Sequence, residues 1–184
     1  SITWDIVKNN PNRNWHWSEL SENPNMTWDI VSQNLDQPWD PESLSSNPSI
    51  TPKIMMDNPN YDWDWIHVSR NKNLTLDFVL EHPEKDWEWE FISRNPNITW
   101  EMVEENEHLP WVSDSGLSMN PNITWDIVLN EPYKPWVLQD VVSTLPLGLS
   151  CSEYQDKIGK LNKMRKDRLI RKVMDDPNTG WGKI

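Results

Sequence analysis

Residues Asn95–Trp100 read Asn-Pro-Asn-Ile-Thr-Trp, and the same six residues return 25 positions later as Asn120–Trp125. Three earlier and less perfect copies begin at Asn23, Asn47 and Asn71, so that successive starts lie 24, 24, 24 and 25 residues apart. A fixed period in the twenties is typical of a stacked array, in which each unit buries its apolar surface against its neighbours. The chain is therefore read as a tandem repeat.

A second series of tryptophans keeps the same period in the other half of each unit. Its members are Trp15, Trp39, Trp63, Trp87, Trp111 and Trp136. Together the two patterns divide residues 1–143 into six repeats and leave residues 144–184 as a separate C-terminal segment. The first repeat lacks its Asn-Pro-Asn start, as a segment of a longer array would.

The first half of each unit has the features of a short helix. Thr99 fits an N-cap, Glu101 lies in the first turn where the helix dipole favours an acid, and Ile98 can pack on Val103 across the cap. Asn106 then fits a C-terminal stop. The same pattern of capping, acidic and apolar residues recurs in the other units, which predicts a helix in each.

The second half predicts another short helix, which opens at the second tryptophan series. Asp62 or Asp86 would be its N-cap, and Trp65 and Val68 follow a helical i, i+3 spacing. Two helices per unit predict an all-α protein, an α-solenoid of six helical hairpins of about 24 residues. Pro52 replaces the first tryptophan of the third repeat, where we expect a distorted helix.

A β-structure is the competing interpretation. Ile2, Trp4 and Ile6 alternate with polar residues, and the period overlaps that of leucine-rich repeats. Val7 breaks this alternation where a helix requires an apolar residue. The repeats also contain almost no glycine, which tight β-solenoid turns normally need. The pattern therefore favours helices.

The composition excludes several classes of protein. No stretch approaches the roughly 20 apolar residues that span a bilayer, and the first residues have no signal-peptide pattern. The single cysteine, Cys151, can form no internal disulfide, which favours a reducing compartment. With five glycines and no phosphate-loop, dinucleotide or nucleophile-elbow motif, we expect no cofactor and no enzyme. No metal site is predicted, because the four histidines fall at unrelated positions of the repeat: His16, His67, His82 and His108.

Charge divides the chain into two parts. Residues 1–143 carry 8 basic and 24 acidic residues, a net charge of −16, whereas residues 144–184 carry 9 and 5, a net charge of +4. The repeats would repel nucleic acid, and basic segments of other proteins are their natural partners. The C-terminal segment could bind nucleic acid.

The C-terminal segment predicts a basic helix, with Tyr154, Ile158 and Leu161 near helical spacing. One role is a helical cap over the last repeat, because a solenoid needs a terminal unit with a polar outer face. The alternative is an anchor to nucleic acid, an anionic surface or another acidic array. The candidate contacts of this tail are Lys163, Arg165, Lys166, Arg168, Arg171 and Lys172.

The tryptophan series are expected to form the core between repeats. A third and intermittent series, Trp17, Trp65 and Trp89, is absent from the other units and supplies our candidate protein-contact residues. Exposed indole faces could instead stack on sugars, so a carbohydrate-binding module is the alternative from another class.

The run Asn120–Val128, read as Asn-Pro-Asn-Ile-Thr-Trp-Asp-Ile-Val, resembles the tryptophan-rich tandem repeats of giant nucleocytoplasmic large DNA viruses. Arrays of that family often end in a basic helix and an Asp-Pro-Asn element, as at residues 163–166 and 176–179 here. The resemblance implies a viral binding scaffold with no catalytic residue. Its expected place is the virion, among neighbouring structural proteins, or the infected-host cytoplasm, where it would bind host proteins.

Overall fold

In the computed structural model, which describes residues 2–144 and 151–175, every regular element is helical. Only the backbone is described for Cys151 and residues 173–175. The all-α prediction is confirmed, and the β interpretation is wrong, because the described residues contain no strand. These residues form twelve α-helices and one 3-10 helix: α1 Trp4–Lys8, α2 Trp17–Glu22, α3 Trp28–Ser32, α4 Pro41–Ser46, α5 Pro52–Asp57, α6 Trp65–Val68, α7 Leu76–Glu81, α8 Trp89–Arg94, α9 Trp100–Glu105, the 3-10 helix Leu117–Met119, α10 Trp125–Asn130, α11 Leu138–Thr144 and α12 Cys151–Asp175.

The first helix of each unit begins directly after the expected threonine. In the third to sixth units the threonine hydroxyl accepts a hydrogen bond from the backbone N–H three residues later, at 3.3 to 3.4 Å. In the first two units the threonine makes no such side-chain bond. The capping residues are Thr51, Thr75, Thr99 and Thr124.

Pro52 does not distort the third unit. It is the first residue of α5, which has six residues, as do the first helices of the three units that follow. A proline is well tolerated at the first helical position, since the N–H it lacks would have no partner inside the helix. The expected distortion was therefore wrong.

The second helices begin two residues later than predicted. The N-caps are Asp64 and Glu88, and the predicted caps Asp62 and Asp86 lie outside the helices. The intervening tryptophan is held in a turn, because its backbone N–H donates to the carbonyl two residues earlier at 2.9 Å in both units. That turn delays the helix by two residues.

The fifth unit departs from the pattern in its second half, where a 3-10 helix replaces the expected α-helix. The backbone N–H of Leu117 donates to the carbonyl oxygen of Val112 at 2.7 Å, which closes a tight loop. A Cβ added to Gly116 would lie 2.3 Å from that oxygen and 2.7 Å from Cβ of Ser93. The loop therefore requires glycine for close approach to α8.

Buried asparagines tie each unit to the one before it. The side-chain nitrogen of Asn71 lies 3.1 Å from the carbonyl oxygen of Ser45, 3.1 Å from that of Asn47 and 2.8 Å from that of Ile50. Its side-chain oxygen accepts from the N–H of Asn73 at 2.9 Å. We call the set of equivalent residues the asparagine ladder: Asn47, Asn71, Asn95 and Asn120.

Buried serines form a second set of bonds between units. Each hydroxyl accepts a hydrogen bond from the backbone N–H of the residue 19 positions later, at 3.0 to 3.1 Å. The accepting side chains are fully buried. This serine ladder comprises Ser21, Ser45, Ser69, Ser93 and Ser118.

The tryptophans pack between units and satisfy their polar atoms locally. In the second series each indole N–H donates to the carbonyl oxygen five residues earlier, at 2.8 to 3.1 Å. The ring of Trp28 packs against that of Trp63 in the next unit, with centroids 4.9 Å apart, and Trp4 and Trp39 repeat this contact at 5.5 Å. Such pairs give the short helices a common core.

Helix α12 packs on the sixth unit. Leu161 is completely buried, and the ring of Tyr154 lies 6.0 Å from that of Trp125. The guanidinium of Arg165 donates to the carbonyl oxygens of Pro132 at 2.7 Å and Lys134 at 3.3 Å. These contacts join α12 to the sixth unit. The Asp-Pro-Asn element at residues 176–179 lies outside the described residues.

Candidate interaction surfaces

The three candidate contact tryptophans are half-buried. Trp17, Trp65 and Trp89 each meet a second-series tryptophan of the next unit nearly edge-on, with centroids 5.1 to 5.5 Å apart and interplanar angles of 84° to 90°. These rings therefore contribute to packing between successive units, and only part of each indole remains open to a partner.

Around Trp63 and Trp65 the chain forms an acidic, partly apolar surface. It encloses about 420 Å³, and Ile66 within it is 46% exposed. Its carboxylates come from the N-caps of α4 and α6, from the first turn of α4 and from two loops. We call this the acidic tryptophan surface, and its members are Asp40, Glu42, Asp62, Trp63, Asp64, Trp65, Ile66 and Asp86.

One carboxyl of this surface is held ionised by its neighbours. Burial alone raises the pKa of Asp64, but the hydrogen bond from the backbone N–H of His67 and the imidazole beside the carboxylate outweigh it, so the pKa lies below its usual value. The backbone N–H of His67 donates to Asp64 Oδ1 at 3.0 Å, and its Nδ1 lies 3.2 Å from Oδ2. Asp64 therefore keeps its negative charge while it caps α6.

Tyr61 beside this surface is held neutral. Burial is the main cause that raises its pKa, and the negative charges of Asp40 and Asp62 raise it further. A phenol that stays protonated adds no charge of its own. The negative potential of the surface therefore comes from its carboxylates.

A lysine already occupies one tryptophan face of this surface. The ammonium of Lys85 lies 4.5 Å from the ring centroid of Trp65 and 3.7 Å from the carboxylate of Glu84. A cation over an indole with acids nearby is a favourable contact, worth about 0.5–1 kcal/mol at an exposed site. The chain thus displays the contact that a basic partner would make.

A second groove was not anticipated from the sequence. It encloses about 710 Å³ beside α2, α4 and α6, and its lining includes the acidic Glu19 and Glu22 and the basic Arg70 and Lys72. The guanidinium of Arg70 stacks 3.9 Å from the ring centroid of Phe91. A sequence signal for this groove exists. The acidic Glu22 and the basic Arg70 occupy the same position of the repeat, directly before the Asn that opens the next unit.

The basic residues of α12 fall into two groups. Arg165 is engaged by backbone carbonyls of the sixth unit, and Arg168 stacks 4.0 Å from the ring centroid of Tyr133. The other candidate tail contacts are exposed: Lys163, Lys166, Arg171 and Lys172. Three exposed apolar side chains lie among them, Leu169 at 64% exposure, Ile170 at 46% and Met164 at 38%.

Within residues 2–144 and 151–175, no three His, Cys, Asp or Glu side chains converge in a way that could hold a metal ion. In the same part of the chain, no helix has both the length and the apolar character needed to cross a membrane.

Comparisons of the chain with protein-family models, with curated proteins and with solved structures found no match.

Proposed function

We propose that the six repeats form an α-solenoid of helical hairpins, and that the chain is a non-enzymatic scaffold for protein–protein interaction. Its repeats bind basic segments of other proteins through the acidic tryptophan surface, and α12 closes the C-terminal end. The observation that carries this proposal is the grouping of five carboxylates around Trp63, Trp65 and the exposed Ile66.

The solenoid part of the proposal is supported by the periodic bonds between units. The asparagine and serine ladders connect residues about one repeat apart, from Ser21 in the first unit to Val137 in the sixth. A stack in which the serine bond recurs at every step presents its surface residues at regular intervals. Such a surface suits an extended or helical partner.

The binding part of the proposal is supported by charge. Residues 2–143 carry a large excess of acids, which attracts basic segments over a long range and speeds their association. The apolar and aromatic atoms between the acids would then bury the aliphatic stems of bound lysines and arginines. Charge provides attraction, and Ile66 and the open part of Trp65 provide contact area.

The setting that we propose is a giant-virus particle, where the chain would bridge neighbouring structural proteins. The support is the resemblance of Asn120–Val128 to the repeats of those viruses. A factor that binds host proteins in the infected cytoplasm is the second setting. Proteomics of purified particles separates the two, because a structural role requires the chain to be in the particle.

The binding proposal is tested by titrating the full chain with a lysine- and arginine-rich peptide in a calorimeter. Asp62→Asn with Asp86→Asn should weaken binding at least about tenfold, because two exposed carboxylates are lost. Asp29→Asn with Asp77→Asn removes the same charge from α3 and α7 and serves as the matched control. Equal losses in both variants, or binding of neutral oligosaccharides but not of the peptide, would contradict the proposal.

A further inference from the structure

From Lys163 onward, apart from Arg165 and Arg168, helix α12 presents a face that nothing in the described residues covers. Its last contact with the repeats is the stacking of Arg168 on Tyr133. Among the described side chains of the helix, Leu169 and Ile170 are the most exposed large apolar ones, at 64% and 46%. We call this free part the basic end of α12: Lys163, Lys166, Leu169, Ile170, Arg171 and Lys172.

The basic end combines positive charge with aliphatic surface, and the acidic tryptophan surface has the complementary properties. Four exposed cations and two aliphatic side chains would face five carboxylates, the exposed Ile66 and the open part of the Trp65 indole, whereas Trp63 is buried beneath them. Complementary charge steers association, and the apolar atoms on both sides provide contact. The chain therefore carries both halves of one interface.

The two halves do not meet within one molecule. Leu161 and Arg165 fix α12 to the sixth unit, whereas the acidic tryptophan surface is built from residues 40–86 in the second to fourth units. We infer that the basic end of α12 docks on the acidic tryptophan surface of a second copy, so that copies of the chain join head to tail. The inference rests on the proposed function, because it names the partner of that same surface.

A contact of this kind joins two different surfaces. Each copy that donates its α12 leaves its own acidic tryptophan surface free, so a third copy can add to it. Such heterologous contacts build open chains or rings, whereas a two-fold contact stops at a dimer. Head-to-tail growth would let a scaffold extend over a larger assembly.

A nucleic acid is the competing partner of the basic end. The charges nearby favour the acidic repeats of a second copy over a nucleic acid. A bound phosphate backbone would lie close to the sixth unit and to the rest of an array of net charge −16, which repels it. The same negative charge attracts the basic end when it belongs to another copy. The array is therefore the partner with the more favourable electrostatics.

The test is analytical ultracentrifugation of the full chain over a concentration series at low salt. The wild type should grow beyond a dimer as concentration rises, and its association should weaken at least about tenfold between about 50 mM and about 500 mM salt, because screening shortens the range of charge attraction. Lys8→Gln with Lys53→Gln, on α1 and α5, is the basic control, and Asp29→Asn with Asp77→Asn is the acidic control. Both controls should associate as the wild type does.

Two neutralised variants then identify the contact. Lys166→Gln, Arg171→Gln and Lys172→Gln together remove the basic end, and Asp62→Asn with Asp86→Asn weaken the acidic tryptophan surface. Each variant alone should stay monomeric, with the circular dichroism melt of the wild type. An equal mixture should form a one-to-one heterodimer and stop there, because only one intact contact remains.

Three results would overturn the inference: a monomeric wild type at every concentration, growth that persists in either variant, or a mixture that stays monomeric. If the wild type is monomeric and binds an oligonucleotide, and the variant with Lys166, Arg171 and Lys172 replaced does not bind it, the basic end is assigned to nucleic acid instead. If the basic peptide still binds to a monomeric wild type, the head-to-tail contact fails and the proposed function stands. If the peptide does not bind, the proposed function fails as well.

Discussion

The side-chain nitrogen of Asn71 lies 2.8 Å from the carbonyl oxygen of Ile50, which is 21 residues earlier in the chain and belongs to the preceding turn between units. Both residues are completely buried. A backbone carbonyl sealed from water needs a partner, and here a side chain from the next unit supplies it. Stacking of the units therefore satisfies polar groups as well as burying apolar surface.

This relationship predicts a large effect of a small change. Asn71→Ala removes a buried donor that lies near three carbonyl oxygens and the acceptor of the Asn73 N–H, so we expect the free energy of unfolding to fall by about 2–4 kcal/mol. Asn60→Ala, in an exposed turn of the same unit pair, should change it by less than about 0.5 kcal/mol. Urea denaturation followed by circular dichroism measures both. Similar values for the two variants would mean that the ladder bond adds little.

Substitution of Gly116 and of Gly159 by alanine should change the free energy of unfolding in opposite directions. Gly116→Ala places a Cβ 2.3 Å from Val112 O, so we expect a loss of about 1–3 kcal/mol. Gly159→Ala meets no heavy atom within 4 Å in the middle of α12, so it should gain up to about 1 kcal/mol from the better helix propensity of alanine. Thermal and urea denaturation of the two variants give the signs. A stabilised Gly116→Ala variant would contradict the close packing of this loop on α8.

The contact of α12 with the sixth unit predicts different outcomes at two leucines. Leu161→Ala should cost about 2–5 kcal/mol, because a completely buried leucine loses its packing. Leu169→Ala, at a side chain that is 64% exposed, should leave stability within about 0.5 kcal/mol of the wild type. If both variants melt like the wild type, α12 does not act as a cap and the anchor role of the tail takes its place.

The cap at Asp64 predicts a dependence of stability on pH. Because the pKa of Asp64 is lower in the folded chain than in the unfolded chain, its stabilisation is fully present above the unfolded pKa and is lost as the pH falls through the folded pKa. The stability margin of the wild type over Asp64→Asn should therefore shrink as the solution becomes acidic. Glu42→Gln is the control, because Glu42 Oε2 lies 3.7 Å from Nε2 of His67 and makes no cap. A margin that persists in acid would contradict this role.

Local patterns and the period were enough to predict the helices, because their determinants lie close together in the chain. Thr99 and its equivalents cap where the sequence places them, and the tryptophan series recur in the packing between units. The cap of α6 could not be chosen from local pattern, because Asp62 and Asp64 flank Trp63 symmetrically. The choice depends on the backbone N–H of Asp64, which donates to Ser45 in the preceding unit at 3.0 Å.

The residues of the asparagine and serine ladders recur in the sequence, but their bonds between units are not predictable from it for a physical reason. Ser45, Ser69 and Ser93 recur at the repeat period, but serine is usually exposed and carries no apolar signal. The ladder asparagines form turns within the chain, as where the N–H of Ile50 donates to the carbonyl oxygen of Asn47, whereas their bonds to the preceding unit depend on how units stack. The acidic tryptophan surface is similar, because its members come from different units and meet only in three dimensions.

The central claim is that successive units stack through buried side-chain amides, and it can be measured directly by NMR. In a uniformly labelled chain, the Nδ2 protons of Asn47, Asn71 and Asn120 should exchange with water far more slowly than those of the exposed Asn12 and Asn60, because buried hydrogen bonds protect them. Nuclear Overhauser contacts should also connect the Asn71 amide to Ile50. Side-chain amides that all exchange at the same fast rate, with no contact between Asn71 and Ile50, would contradict the stacked array.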